Sequence, residues 1–148
     1  MPYARISTPE DEIEVFWRSN LPQDDPSVIA TNGRPTILLL HPILLNIEQL
    51  EPQFSDPSLS DAYNMVAYDV PTSGRTKAPR FASRGQFPQF DNWSEAAMMA
   101  HFCDALGISA VHVFASMTNP VHAALRFSVL FPERCLSLTL CGATPPEE

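Results

Sequence analysis

Val111-His112-Val113-Phe114-Ala115-Ser116-Met117-Thr118-Asn119-Pro120-Val121-His122-Ala123-Ala124-Leu125-Arg126-Phe127-Ser128-Val129-Leu130-Phe131-Pro132 decides how this chain folds. It begins as a short β-branched and apolar run, the pattern of a buried strand. Apolar residues at 121, 124, 125 and 129 then take up helical spacing. The stretch therefore predicts a strand, a tight turn and a helix, with Ser116 at the apex. Such a turn lifts a hydroxyl out of the sheet. It also aims the free N–H groups of the helix N-terminus at whatever the serine attacks. Pro120 suits a first helical turn, where no N–H is needed. The elbow pattern G-x-S-x-G falls on Phe114-Ala115-Ser116-Met117-Thr118, with both glycines replaced. A serine in an ordinary strand-to-helix turn is the alternative reading.

Outward from that stretch, the chain alternates strand and helix patterns. Ile13-Glu14-Val15-Phe16-Trp17-Arg18 partly alternates and predicts an outer strand, one half of a hairpin. Residues 21–34 carry Pro22, Asp24, Asp25, Pro26, Asn32 and Gly33, which is turn chemistry. Residues 35–41 are apolar on both faces and predict a central strand of a parallel sheet. Ile47, Leu50 and Phe54 suggest a short helix near 46–55, broken by Pro52 and Pro57. A second buried strand is expected over 64–69, then a long loop over 71–90. Asp91 caps a helix over 91–106 that Gly107 closes, and His101 lies on or near its apolar stripe. A strand over 135–141 follows the helix predicted over 119–131. The expected fold is α/β, a mostly parallel sheet with helices on both faces, in a single domain over residues 1–148. In such sheets, sites lie at the carboxyl ends of strands. His41, Asp69 and Ser116 all fall there, on three different strands.

The chain has 148 residues, 45% hydrophobic and 18% charged, which suits one modest globular domain. Its net charge of −8 argues against nucleic acid and anionic membranes as partners. Arg75, Lys77, Arg80 and Arg84 form a short basic stretch that reads as a solvated loop. Three cysteines without a C-x-x-C, and no leader pattern at Met1-Pro2-Tyr3-Ala4, point to a reducing, cytoplasmic setting. The longest apolar run, Ile37 to Leu40, is too short to span a bilayer. The four histidines are scattered away from other ligand types, so no metal site is expected. No glycine-rich phosphate loop is present, and no cofactor is expected.

Four blocks in order resemble the N-terminal part of the α/β-hydrolase family. Leu38-Leu39-Leu40-His41-Pro42 is similar to the strand ending in His-Gly, with Pro42 in the glycine place. Val66-Ala67-Tyr68-Asp69-Val70-Pro71-Thr72-Ser73-Gly74-Arg75-Thr76 resembles the D-x-R-G-x-G-x-S/T loop. Asp104-Ala105-Leu106-Gly107-Ile108 resembles the helix end before the elbow strand. Phe131-Pro132-Glu133-Arg134-Cys135-Leu136-Ser137-Leu138-Thr139-Leu140 resembles the F-P-E-R-V-x-x-L-x-L passage. The match covers about residues 35 to 143.

The resemblance implies a serine hydrolase acting on an ester or similar acyl substrate. It places Ser116 as nucleophile and the N–H groups of Met117 and Ile43 as oxyanion donors, with Asp69 shaping its loop. It also implies an acid and a base that come after the elbow. No histidine follows His122, so the resemblance is to a truncated or split member of the family. A serine without a base is a weak nucleophile. The alternative is a non-catalytic binding or interaction module for a small molecule or partner. The sheet edge after 135–141 is then expected to be covered, by a second copy or a complementing chain.

Overall fold

The computed structural model describes residues 3–8, 12–42, 44–71, 73–79 and 91–142. Six strands make one sheet: β1 (Tyr3–Ser7), β2 (Glu12–Ser19), β3 (Thr36–Leu40), β4 (Asn64–Tyr68), β5 (Val111–Ser116) and β6 (Cys135–Cys141). Their spatial order is β1-β2-β4-β3-β5-β6. β4, β3, β5 and β6 run parallel, and the β1–β2 hairpin joins antiparallel through β2 and β4. The helices are α1 (Ser27–Thr31), α2 (Glu51–Ser55), α3 (Pro57–Ser60), α4 (Asn92–Ala105) and α5 (Thr118–Leu130).

The expected α/β architecture is present, and side-chain alternation explains its layers. Leu38, Leu40, Val66, Tyr68, Val113 and Ala115 face α4 and α5, where Phe102, Met99, Ala124 and Phe127 close the main core. Their neighbours Leu39, Met65 and Ala67 face the other way, onto Ile47, Leu50 and Phe54. Strands apolar on both faces belong in a sheet covered on both faces.

Local chemistry departs from the expectations in three places. Residues 3–7 form a strand of their own, completing the hairpin anticipated from Ile13–Arg18. The segment 21–34 holds α1, where the Asp25 carboxylate accepts from Ser27 N at 2.9 Å and starts the turn. The helix near 46–55 divides into a 3-10 turn over Ile47–Leu50 and α2. Asn46 caps the turn through Glu48 N, and Asp56 with Pro57 then opens α3. Beyond Pro79 the expected loop over 71–90 lies outside the described residues. No helix among the described residues is long and apolar enough to cross a membrane.

Candidate functional site at the carboxyl edge of the sheet

His41 follows β3 and is buried. Val70 N donates to its Nε2 at 3.2 Å, and its Nδ1 lies 2.8 Å from the Pro42 carbonyl. Nε2 is thus the acceptor, and the network assigns the proton to Nδ1. Burial pushes the imidazole pKa down, although the Asp69 carboxylate lies 3.9 Å from Nε2. A neutral His41 therefore ties the ends of β3 and β4 together, with both ring nitrogens engaged.

Asp69 follows β4 and is buried beside it. Its Oδ1 accepts from Ile47 N and its Oδ2 from Arg75 N, each at 2.8 Å. Its carbonyl accepts from the Thr76 hydroxyl at 2.5 Å, and that hydroxyl accepts from Phe16 N at 3.0 Å. One carboxylate thus fixes the loops after β3 and β4. Gly74 makes this closure, at φ +63°, and a Cβ there would stand 2.1 Å from Asp69 Oδ2.

Asp91 caps α4 through Trp93 N and Ser94 N. One turn on, Glu95 is only 7% exposed, and burial pushes its pKa up to about 7. The Glu95 charge also acts on Tyr68, whose hydroxyl is buried without a partner among the described residues. In sequence Glu95 is simply an acid in the first turn of α4; in the structure it is buried, close enough to Tyr68 of β4 for its charge to act there.

The elbow is built differently from its expected form. Ser116 remains in β5, paired with Cys141, and its hydroxyl has no hydrogen-bond partner among the described residues. The chain turns one residue later, at Met117 (φ 70°, ψ 172°). That conformation is essentially a glycine one. Met117 N donates to the Cys141 carbonyl at 2.9 Å, so this N–H, expected as an oxyanion donor, is engaged by β6. Met117 O accepts from Val121 N and starts α5. The small residue two places before the apex is then Ala115, fully buried, and Phe114 no longer occupies that crowded place. Ile43, the other expected donor, lies outside the described residues.

The histidines are dispersed. His112 Nδ1 lies 2.8 Å from Ser137 Oγ, His101 is turned to solvent, and the His122 Nε2 is buried in α5 without a partner among the described residues. No group of three potential metal ligands gathers among the described residues.

Because the Met117 side chain is 56% exposed, little packing depends on it. Met117→Gly should therefore stabilise the fold by about 1 kcal/mol, the relieved backbone strain outweighing the extra entropy of an unfolded glycine. A higher urea midpoint at unchanged slope is the expected reading. A lower midpoint would show that the methionine itself holds the turn.

No family model matches this chain, and no curated protein matches it. Solved structures do match. A carboxylesterase from the thaumarchaeon Nitrososphaera gargenis superposes with a TM-score of 0.73 at 13% identity, over 99% of this chain and 47% of its own. A probable hydrolytic enzyme from Pseudomonas aeruginosa gives 0.72 at 21% identity, over 94% and 40%. A bacterial membrane phospholipase A gives 0.69 at 21% identity, over 99% and 42%. This chain thus spans less than half the length of these structures, and the likeness is one of fold.

Proposed function

We propose that this chain, which has the α/β-hydrolase fold, acts as a non-catalytic binding or interaction module on that sheet. The observation that carries the reading is the occupant of the elbow. Met117 sits at the turned position with its N–H engaged, while Ser116 stays in the strand ladder. A thioether cannot serve as an acyl acceptor there, and Ser116 has no base within hydrogen-bond reach among the described residues. Leu44 and Leu45, after β3, and Met117, after β5, instead expose apolar side chains, which suits an apolar small molecule. Three free thiols support a reducing, cytoplasmic setting.

The second reading is a serine hydrolase completed by further polypeptide. It draws on Ser116 at the carboxyl end of β5, on the hydrolases among the matched structures, and on their greater length. A p-nitrophenyl butyrate assay and fluorophosphonate labelling distinguish the two readings. Wild type and Ser116→Ala should hydrolyse the ester at the same background rate, with no serine labelled. General-base assistance alone contributes about 10²–10⁴-fold, so turnover lost on Ser116→Ala would be easily seen and would establish the hydrolase reading.

A further inference from the structure

An open groove of about 270 Å³ runs beside β2, against the loops that follow β3 and β4. The buried Phe16 and Ile47 give it an apolar floor, and Arg18, Asp24, Glu48 and Arg75 bring charge to it. Pockets for drug-sized ligands hold about 300–1,000 Å³, so this one suits a smaller molecule. β4 and β3 stand between β2 and β5, which keeps the groove apart from Ser116 and Met117.

Both guanidinium groups lie over aromatic rings. The Arg75 Cζ is 4.5 Å from the Phe16 centroid, and the Arg18 Cζ is 5.0 Å from that of Phe54. The backbone of Arg75 is fixed as well, since its N–H donates to Asp69 Oδ2. A guanidinium placed over a ring keeps its N–H groups projecting sideways. Arg75 gives one nitrogen to Glu48, and Arg18 gives one to Glu51. Each guanidinium has five N–H donors, and the others have no partner among the described residues. They remain as donors for one further oxyanion.

Asp24 supplies the opposite charge. Gln23 and Asp24 both take left-handed backbone conformations, at φ 58° and 53°, which are strained for residues with a side chain. That turn sets Asp24 Oδ1 to accept from Ser19 N at 2.8 Å and from Ser19 Oγ at 2.9 Å. Its other oxygen has no basic partner among the described residues. Spare cationic donors and one unpaired carboxylate thus share an apolar floor.

We propose that this groove binds a free α-amino acid with an aliphatic side chain, of which leucine is the model. Its carboxylate takes the spare N–H groups of Arg18 and Arg75. Its ammonium takes Asp24 Oδ2, and its side chain lies toward Phe16 and Ile47. The mixed charge selects the zwitterion, because a simple anion meets Asp24 and Glu48 and a simple cation meets two guanidinium groups.

Amide NMR titration of the whole chain tests this with L-leucine and two part-ligands. Isovalerate keeps the carboxylate, and isopentylamine keeps the ammonium. Wild type should bind leucine in the millimolar range, with the Ser19, Asp24, Glu48 and Arg75 amides shifting. Each part-ligand should bind roughly tenfold more weakly. Asp24→Asn retains an oxygen for Ser19 and removes the charge. It should weaken leucine roughly tenfold and bind isovalerate no more weakly than wild type does. Arg75→Gln should show the reverse pattern, weakening leucine while leaving isopentylamine unweakened. Circular dichroism confirms that each variant is folded. Absence of any leucine-dependent shift in wild type up to the solubility limit overturns the proposal. It is overturned equally if Asp24→Asn weakens leucine and isovalerate alike, or if the shifts fall at Ser116 and Met117 instead of beside β2.

Discussion

Gly74→Ala is expected to destabilise this protein by on the order of 4 kcal/mol, much of a typical domain's stability. The residue sits at φ +63°, which alone costs a side chain about 1–2 kcal/mol. The new methyl would also fall 2.1 Å from Asp69 Oδ2, so the carboxylate must swing away. It then abandons the N–H groups of Ile47 and Arg75; the buried Ile47 donor left unsatisfied costs about 1–3 kcal/mol, and the half-buried Arg75 donor less. Chemical denaturation measures the loss directly. The double variant Asp69→Ala/Gly74→Ala should be far less unstable than the sum of the singles, because removing the carboxylate removes the clash. Strict additivity would show that the two residues do not act as one unit.

The second large effect depends on pH. Glu95 has an ordinary pKa of 4.5 that burial raises to about 7 in the folded chain. The folded state therefore holds its proton more tightly than the unfolded state. The favourable contribution is fully present below about pH 4.5 and is lost as pH rises through 7. Between pH 5 and pH 9 the group should remove up to about 3 kcal/mol of stability. Glu95→Gln keeps the shape without the charge, so wild type should lose stability relative to it as pH rises over that range, and the variant should exceed wild type at pH 9. Urea midpoints for both proteins across the series provide the check. A wild-type curve that does not fall relative to Glu95→Gln would mean that solvent reaches the carboxylate.

The architecture can be read from the chain because its signals are local. Runs such as Ile37–Leu40 and Val66–Tyr68 are apolar on both faces, and only a sheet covered on both sides uses them. Asp91 and Gly107 bracket α4 by capping chemistry that depends on nothing distant. The elbow turns one residue later than the serine suggests, for an equally physical reason. A serine in a strand-to-helix junction draws attention to itself, whereas a methionine in a glycine-like conformation leaves no trace in sequence. Only the ladder pairing of Ser116 with Cys141 shows where the strand ends. The burial of Glu95 and the His41 clamp are hidden likewise, since both arise from contacts between β4 and segments far away in the chain.

The strand order has a consequence for synthesis on the ribosome. β3 is central, with β4 on one side and β5 on the other. β4 follows it closely in the chain, but β5 is completed only at Ser116. At about 5–20 residues per second, the nascent β3 waits on the order of 4–15 s with one side unpaired. During that interval Ile37–Leu40 presents an aliphatic ladder to water. Chaperone capture, or slower translation of the region before β5, should therefore change the yield of this protein.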